Sequence, residues 1–198
     1  AMSSTVSVPV FDKKKHVLLI PDLFPIHMEL LANVIRASGY RVEVLRTHGA
    51  DVMEAGLKYI HNDMCYPFHL SLGQYLLALG SGAYDLENTA LLMPSAGDAC
   101  RGSNFTSLIR KALVQAGYPQ VKVLTLNVKG LEKDQALPLH PDMVWRALFG
   151  LFYGDLLLFL THQTRPWEAV PGASEACRGQ WTARLAEELK TVDGKVPL

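Results

Sequence analysis

The sequence predicts an α/β fold, a Rossmann-like open parallel sheet with helices on both faces, followed by C-terminal helices. Short apolar runs, each ended by a proline, a glycine or a polar turn, alternate with segments of helical periodicity. From Leu139 onward only helical patterns remain. Strands that alternate with helices imply right-handed crossovers and a parallel sheet. A chain of 198 residues that is 49% hydrophobic is long enough to bury a sizeable core.

The first elements show the pattern clearly. The apolar run His16–Ile20 is ended by Pro21 and predicts a buried strand, and Pro25–Ser38 predicts a helix ended by Gly39. Further strands are expected at residues 41–45, 88–93 and 121–126. Further helices are expected at residues 51–60 with Asp51 as its cap, 66–79, 104–116 with Gly117 after it, 141–163 and 174–190.

The chain is expected to divide into three parts. Residues 1–15 resemble an expression-tag remnant and lead-in, 16–138 an α/β domain, and 139–198 a C-terminal helical segment that packs on the same domain. The most apolar run, Ala147–Leu160, has roughly half the length of a membrane span. It predicts a buried helix, or one that covers a surface completed by another domain or subunit.

Charge and cysteine content exclude several classes of protein. Nineteen basic and 19 acidic side chains give a net charge of zero, which argues against non-specific nucleic-acid binding. Three cysteines are too few, and odd in number, for a secreted disulfide framework. No signal peptide or membrane span is evident. The sequence therefore predicts a cytoplasmic protein without nucleic-acid or membrane partners.

Two cysteines lie in turns that precede helices. Cys65 belongs to the turn 61–67 and Cys100 to the turn 95–104. Backbone N–H groups and the positive end of the dipole at a helix start favour a thiolate, the form that binds metal or attacks an electrophile. Cys100 follows the third strand, and open parallel sheets bind ligands at the carboxyl ends of strands. We expect the two sulfurs to approach within about 7 Å, whereas Cys177 precedes the last helix and matches no motif.

Residues beside these cysteines are candidates for the same site. Arg101 would stabilise a thiolate or an anionic cluster, or bind phosphate; a surface charge is the alternative. His61 and His69 would contact a metal or a cysteine sulfur, with capping or surface roles as the alternative. His48 follows the second strand, where a site residue is plausible. The sequence contains no Walker A or GxGxxG motif for nucleotide binding.

Five short motifs occur in order along the chain. They are Asn62-Asp63-x-Cys65-Tyr66-Pro67, Ser81-Gly82-x-Tyr84-Asp85, Cys100-Arg101-x-Ser103-Asn104, Arg110-Lys111-Ala112-Leu113 and Leu126-Asn127-x-x-Gly130-Leu131-Glu132. In these motifs the chain resembles the dehydratase-like region of 2-hydroxyacyl-CoA dehydratase activase-related proteins, of the 2-hydroxyglutaryl-CoA dehydratase activator type. The resemblance covers Val17 to Trp167. Such proteins of anaerobic bacteria join an ATP-dependent activase module to dehydratase-like regions.

The resemblance implies an iron–sulfur setting. Cys65 and Cys100 become candidate ligands of a [4Fe–4S] cluster, with Arg101 beside it; no catalytic residue is assigned. The implied role is low-potential electron transfer or dehydration of a 2-hydroxyacyl-CoA, with an activase module or other dehydratase-like domains as partners. The chain would then be an inactive piece of a longer protein, in which other groups complete the cluster. The alternative is a non-catalytic, Rossmann-like interaction domain with structural cysteines.

Overall fold

Four strands and six α-helices make up the residues that the computed structural model describes, 11–94, 104–126 and 137–191. The strands are β1 (Val17–Pro21), β2 (Arg41–Leu45), β3 (Thr89–Pro94) and β4 (Lys122–Leu126). The helices are α1 (Pro25–Ala37), α2 (Ala50–Leu57), α3 (Tyr66–Gly80), α4 (Phe105–Ala116), α5 (Pro141–Thr164) and α6 (Ala173–Thr191). Short 3₁₀ turns at Leu86–Asn88 and Arg165–Trp167 complete the described elements.

The strands form one parallel sheet in the order β2-β1-β3-β4. Leu19 pairs with Leu91 and Leu91 with Val123, so β1, β3 and β4 are aligned side by side. Most of their side chains, among them Leu18, Leu91 and Val123, are apolar and buried, as parallel strands covered on both faces require. The predicted α/β class, an open parallel sheet followed by C-terminal helices, is confirmed. The strand order reverses between β1 and β3, the position at which such sheets bind ligands.

One compact unit comprises Ala1–Leu19 with Thr47–Leu137. Within it α2 and α3 cross at very short distance. A Cβ at Gly56 would lie 2.1 Å from the carbonyl oxygen of His69, and one at Gly73 would lie 1.8 Å from that of Val52. Both glycines are therefore required by the close approach of the two helix backbones. The crossing fixes α3 in this unit, and α3 carries Cys65 at its start.

The second compact unit comprises Ile20–Arg46 with Pro138–Leu198, and in it α1 packs on α5 and α6. At the α1–α5 contact, a Cβ at Gly154 would lie 2.4 Å from the His27 ring. The Nε2 atom of His27 lies 3.0 Å from Oδ1 of Asp155. A glycine and one polar pair thus fix α5 against α1.

The expectation that the apolar helix is buried is wrong. Only Met143, Gly150, Gly154, Leu157 and Thr161 of α5 are buried. Its exposed large apolar side chains are Val144, Trp145, Leu148, Leu151, Phe152, Leu156, Leu158, Phe159 and Leu160. The physical reason is that α5 packs on α1 and α6 only along the narrow seam that these five buried residues form, so the apolar side chains on its other faces find no cover among the described residues.

By length and composition, the helical stretch Pro141–Trp167 is also long and apolar enough to cross a membrane. Length and composition alone are weak support for a span, because helices of soluble proteins meet the same criterion. The seam to α1 shows instead that part of α5 packs on protein.

Two predicted helix C-termini are confirmed, and one predicted N-terminal capping residue is wrong. Gly39 and Gly117, predicted to end helices, have φ angles of +87° and +88°, a region that favours glycine. Asp51, predicted to cap α2, is not the capping residue. That position belongs to Gly49, and Asp51 lies in the first turn, where its carboxylate complements the helix dipole.

Candidate functional site

Cys65 is the residue at which α3 begins. It occupies the capping position with extended backbone (φ −67°, ψ 148°), and Pro67 lies in the first turn. The preceding turn is closed by a hydrogen bond from Met64 N–H to the His61 carbonyl, 3.1 Å. Cys65 is exposed, and its thiol caps no backbone group of the described residues. The predicted turn-then-helix context is confirmed for Cys65.

The starts of α3 and α4 lie against each other. The buried ring of Phe68 stacks on that of Phe105, with centroids 4.2 Å apart and planes inclined by 24°. Phe68 is three residues after Cys65, and Phe105 is five residues after Cys100. The stack therefore joins the two helix starts that follow the two cysteine motifs.

The opposite ends of α3 and α4 are neighbours as well. A Cβ at Gly80 would lie 3.4 Å from the hydroxyl oxygen of Tyr118. The two helices therefore run in the same direction. Because α4 ends only a few residues before β4 begins, its first turn lies toward the carboxyl edge of the sheet. Cys65, at the start of α3, consequently lies at that same edge.

His69 lies one helical turn after Cys65 and is 1% exposed. Neither of its ring nitrogens has a hydrogen-bond partner among the described residues. A buried imidazole without partners is uncommon, because each unpaired polar atom carries a desolvation penalty. Such orphan nitrogens are what a ligand, an ion or a water would satisfy.

The other histidine candidates are at the surface. His61 is exposed, and its Nδ1 lies 3.2 Å from Oδ2 of Asp63 in the same turn. The pair shapes the turn before Cys65. His48 is exposed beyond the end of β2. The structure thus brings neither of them into a buried site.

Cys100 and Arg101 lie outside the described residues. The expected Cys65–Cys100 distance and the expected role of Arg101 therefore stay predictions. Cys177, expected before the last helix, lies within α6, whose bounds agree with the helix predicted at residues 174–190, and it is exposed there. Within the ranges that the structure describes, no group of three or more His, Cys, Asp or Glu side chains gathers as a metal site would require.

Two buried polar groups of the same unit escaped the sequence analysis. The Tyr75 hydroxyl donates to the Leu92 carbonyl over 2.7 Å, and burial raises the pKa of Tyr75 well above its ordinary value. Lys122, only 8% exposed, contacts the Nε2 atom of His16 through its Nζ. In the sequence, the lysine within the otherwise apolar predicted strand 121–126 could have indicated this contact, because a charged residue on a buried strand needs a partner.

Comparisons with protein-family models, curated proteins and solved structures find no match for this chain.

Proposed function

We propose that this chain is an iron–sulfur-associated domain of a 2-hydroxyacyl-CoA dehydratase activator or dehydratase-like protein. Cys65 and Cys100 would hold a [4Fe–4S] cluster, and Arg101 would lie beside it. The observation that carries the proposal is the Phe68–Phe105 stack, which joins the helix starts that follow the two cysteine motifs. An activase module or other dehydratase-like domains of a longer protein would be the partners, and an acyl-CoA the substrate.

The described residues fit one ligand position of such a group. The Cys65 thiol is exposed at a helix start, where N–H groups and the dipole favour negative charge. His69, one turn further, contributes a buried ring with unsatisfied nitrogens. A [4Fe–4S] cluster is normally held by four ligands. The proposal therefore assigns one further ligand to Cys100 and the rest to a partner domain or a small thiol.

When bound, a [4Fe–4S] cluster supplies low-potential electron transfer, or Lewis acidity toward the hydroxyl of a 2-hydroxyacyl thioester. The contribution of this chain is positioning. The Phe68–Phe105 stack fixes the two helix starts, and the close α2–α3 crossing holds α3 in place. A rigid support of this kind is what a cluster ligand needs in order to keep its geometry.

Serine variants of the three cysteines test the proposal. A serine hydroxyl stays protonated and binds soft iron poorly. After anaerobic reconstitution with ferrous iron, sulfide and 2-mercaptoethanol, Cys65→Ser and Cys100→Ser should each lose most of the iron that the unsubstituted chain binds. The melting temperature of Cys65→Ser should barely change, because an exposed thiol contributes little packing.

Cys177→Ser is the matched control, since Cys177 is also exposed but belongs to α6. It should alter neither iron content nor melting temperature. Iron content that is the same in Cys65→Ser, Cys177→Ser and the unsubstituted chain would overturn the proposal. So would a Cys100→Ser variant that loses about 1–3 kcal/mol of stability, the penalty of a buried hydroxyl, and keeps its iron.

A second candidate is a non-catalytic, Rossmann-like interaction domain with structural cysteines. The observation that favours it is the apolar exposed surface of α5, with Trp145, Phe152 and Phe159 each more than half exposed. Contiguous apolar patches of this kind mark surfaces that another protein covers. A chain that stays colourless and iron-free after anaerobic reconstitution would support this candidate over the first.

A further inference from the structure

Five exposed apolar side chains form a stripe along α5, on the side opposite its buried seam. At 3.6 residues per turn, all five lie within about 50° of the direction that points away from the seam. They include the three most exposed apolar side chains of α5. The members of this apolar stripe, with their exposed fractions, are Trp145 (60%), Leu148 (47%), Phe152 (79%), Leu156 (50%) and Phe159 (59%).

The apolar stripe is symmetrical about Phe152. Trp145 and Phe159 stand seven residues before and after it, and Leu148 and Leu156 stand four residues before and after it. At 1.5 Å per residue, these pairs lie about 10.5 and about 6 Å along the helix on either side of Phe152.

This symmetry matches what a second copy of the chain requires. A closed two-fold dimer needs a surface that is complementary to itself, because each residue of one copy meets the same surface of the other. With a two-fold axis beside Phe152 and the two α5 helices antiparallel, Phe152 meets the partner's Phe152. Leu148 then lies beside the partner's Leu156, and Trp145 beside the partner's Phe159.

The spacing of the apolar stripe suits packing against another helix. Its members follow one another at intervals of three, four, four and three residues. Side chains three and four residues apart form the ridges that fit into the grooves of a facing helix. The alternative of a flat binding partner would not need this spacing.

The charges of α5 all lie off the apolar stripe. The sequence of this helix contains three charged residues, Asp142, Arg146 and Asp155. Nη1 of Arg146 donates to the Lys190 carbonyl over 3.1 Å, and Oδ1 of Asp155 lies 3.0 Å from Nε2 of His27. Depletion of charge is typical of the centre of a protein–protein interface. Helices that lie on membrane surfaces instead carry many Lys and Arg side chains, so the charges of α5 favour a protein partner over lipid.

The exposed area is close to what a stable dimer needs. Taking about 200 Å² for each whole side chain, the exposed parts of the five stripe residues amount to roughly 600 Å². A standard interface buries about 800 Å² on each partner. The apolar stripe would therefore supply most of such an interface, and the polar residues around it would form the rim.

We infer that α5 is the interface of a homodimer, in which two copies of the chain pack antiparallel through the apolar stripe. The inference goes beyond both candidate functions and does not depend on iron. A chain that fails to dimerise would leave the result of the cysteine experiments unaffected, and the reverse holds as well.

Sedimentation velocity of the full chain, at concentrations between about 1 and 100 µM, tests the inference. A species of twice the mass of the chain is expected. Phe152→Glu would bring two carboxylates together beside the two-fold axis, in an apolar contact, and should raise the dissociation constant of the dimer by about 100-fold or more. Because Phe152 is largely exposed within one copy, the variant should keep the circular dichroism spectrum of the unsubstituted chain.

Val114→Glu is the matched control. Val114 is an exposed apolar residue as well, at 62%, but it belongs to α4 in the other compact unit. The variant adds the same charge to the chain without touching the apolar stripe. It should leave the dissociation constant of the dimer unchanged.

Cross-linking tests the antiparallel arrangement. Leu148→Cys and Leu156→Cys are made separately in a chain whose three native cysteines are replaced by serine, and a short bis-maleimide reagent is added. A mixture of the two variants should give a covalent dimer in much higher yield than either variant alone, because Leu148 faces the partner's Leu156. Parallel helices would cross-link each variant with itself.

Four results would overturn the inference. The chain could sediment as a monomer throughout the concentration range, or as aggregates without a fixed size. The dimer could persist unchanged in Phe152→Glu. Each cysteine variant could cross-link with itself as well as the mixture does. Finally, a monomer that binds vesicles of phosphatidylcholine and phosphatidylserine would assign the apolar stripe to a lipid surface.

Discussion

Lys122 places a cationic group where water is scarce. It begins β4, is 8% exposed, and contacts the His16 ring, whose Nδ1 lies 2.9 Å from the Asp12 carbonyl oxygen. Burial lowers the pKa of Lys122, and the charge of Glu87 partly opposes that effect. The lysine therefore opposes folding in its charged form.

The pH dependence of stability follows from that direction. Between the lowered pKa of folded Lys122 and its ordinary value of 10.5, the unfolded chain binds more protons than the folded one. The contribution of Lys122 to the free energy of unfolding should therefore rise with pH across this window. Below the window both states are protonated, and the burial penalty is present in full.

Lys122→Met should remove this rise. The stability of the variant relative to the unsubstituted chain should be greatest near neutral pH and should decline as the pH approaches 10.5. Urea unfolding at several pH values measures the difference. Lys111→Met, on an exposed position of α4, is the control and should show no such trend. If the difference in free energy of unfolding between Lys122→Met and the unsubstituted chain is constant or grows with pH, the pKa of Lys122 is not lowered in the folded chain.

At the scale of elements, the α2–α3 crossing supports the cysteine at the start of α3. Its two contact points put glycine Cα atoms directly against backbone carbonyls, at Gly56 against His69 and at Gly73 against Val52. Backbone atoms cannot move aside as a flexible side chain can. An added methyl group must therefore push the helices apart.

Gly56→Ala and Gly73→Ala should each lower the free energy of unfolding by about 3 kcal/mol, as measured by chemical denaturation. Gly179→Ala is the control, because a Cβ there meets no atom of the described residues within 4 Å. It should be neutral or stabilise by about 0.5–1 kcal/mol through helix propensity. Equal effects of Gly56→Ala and Gly179→Ala would show that the helices do not approach so closely.

Local patterns predicted individual elements well. The bounds of β2 agree with the strand predicted at residues 41–45, and Gly117 ends α4 as expected. The same patterns do not determine which face of a helix is covered. For α5 the composition predicted burial, whereas only the seam formed by Met143, Gly150, Gly154, Leu157 and Thr161 is buried. Burial depends on neighbours that are distant in the sequence.

For the molecule as a whole, the sequence predicted the α/β class but not the contacts that assemble the site. The stack of Phe68 on Phe105 joins residues 37 positions apart in the chain, and periodicity cannot reveal such a pair. The orphan ring of His69 is likewise visible only once its surroundings are known. The cysteine motifs could be recognised in advance because turn chemistry is local.

The central claim is that Cys65 and Cys100 hold a [4Fe–4S] cluster, and its most direct test is an iron and acid-labile sulfide determination on the anaerobically reconstituted chain. We predict a brown protein with about four iron and four sulfide per chain, as a [4Fe–4S] cluster requires, and loss of both in the Cys65→Ser, Cys100→Ser double variant. A colourless protein without iron or sulfide, or equal iron in the double variant, would contradict it.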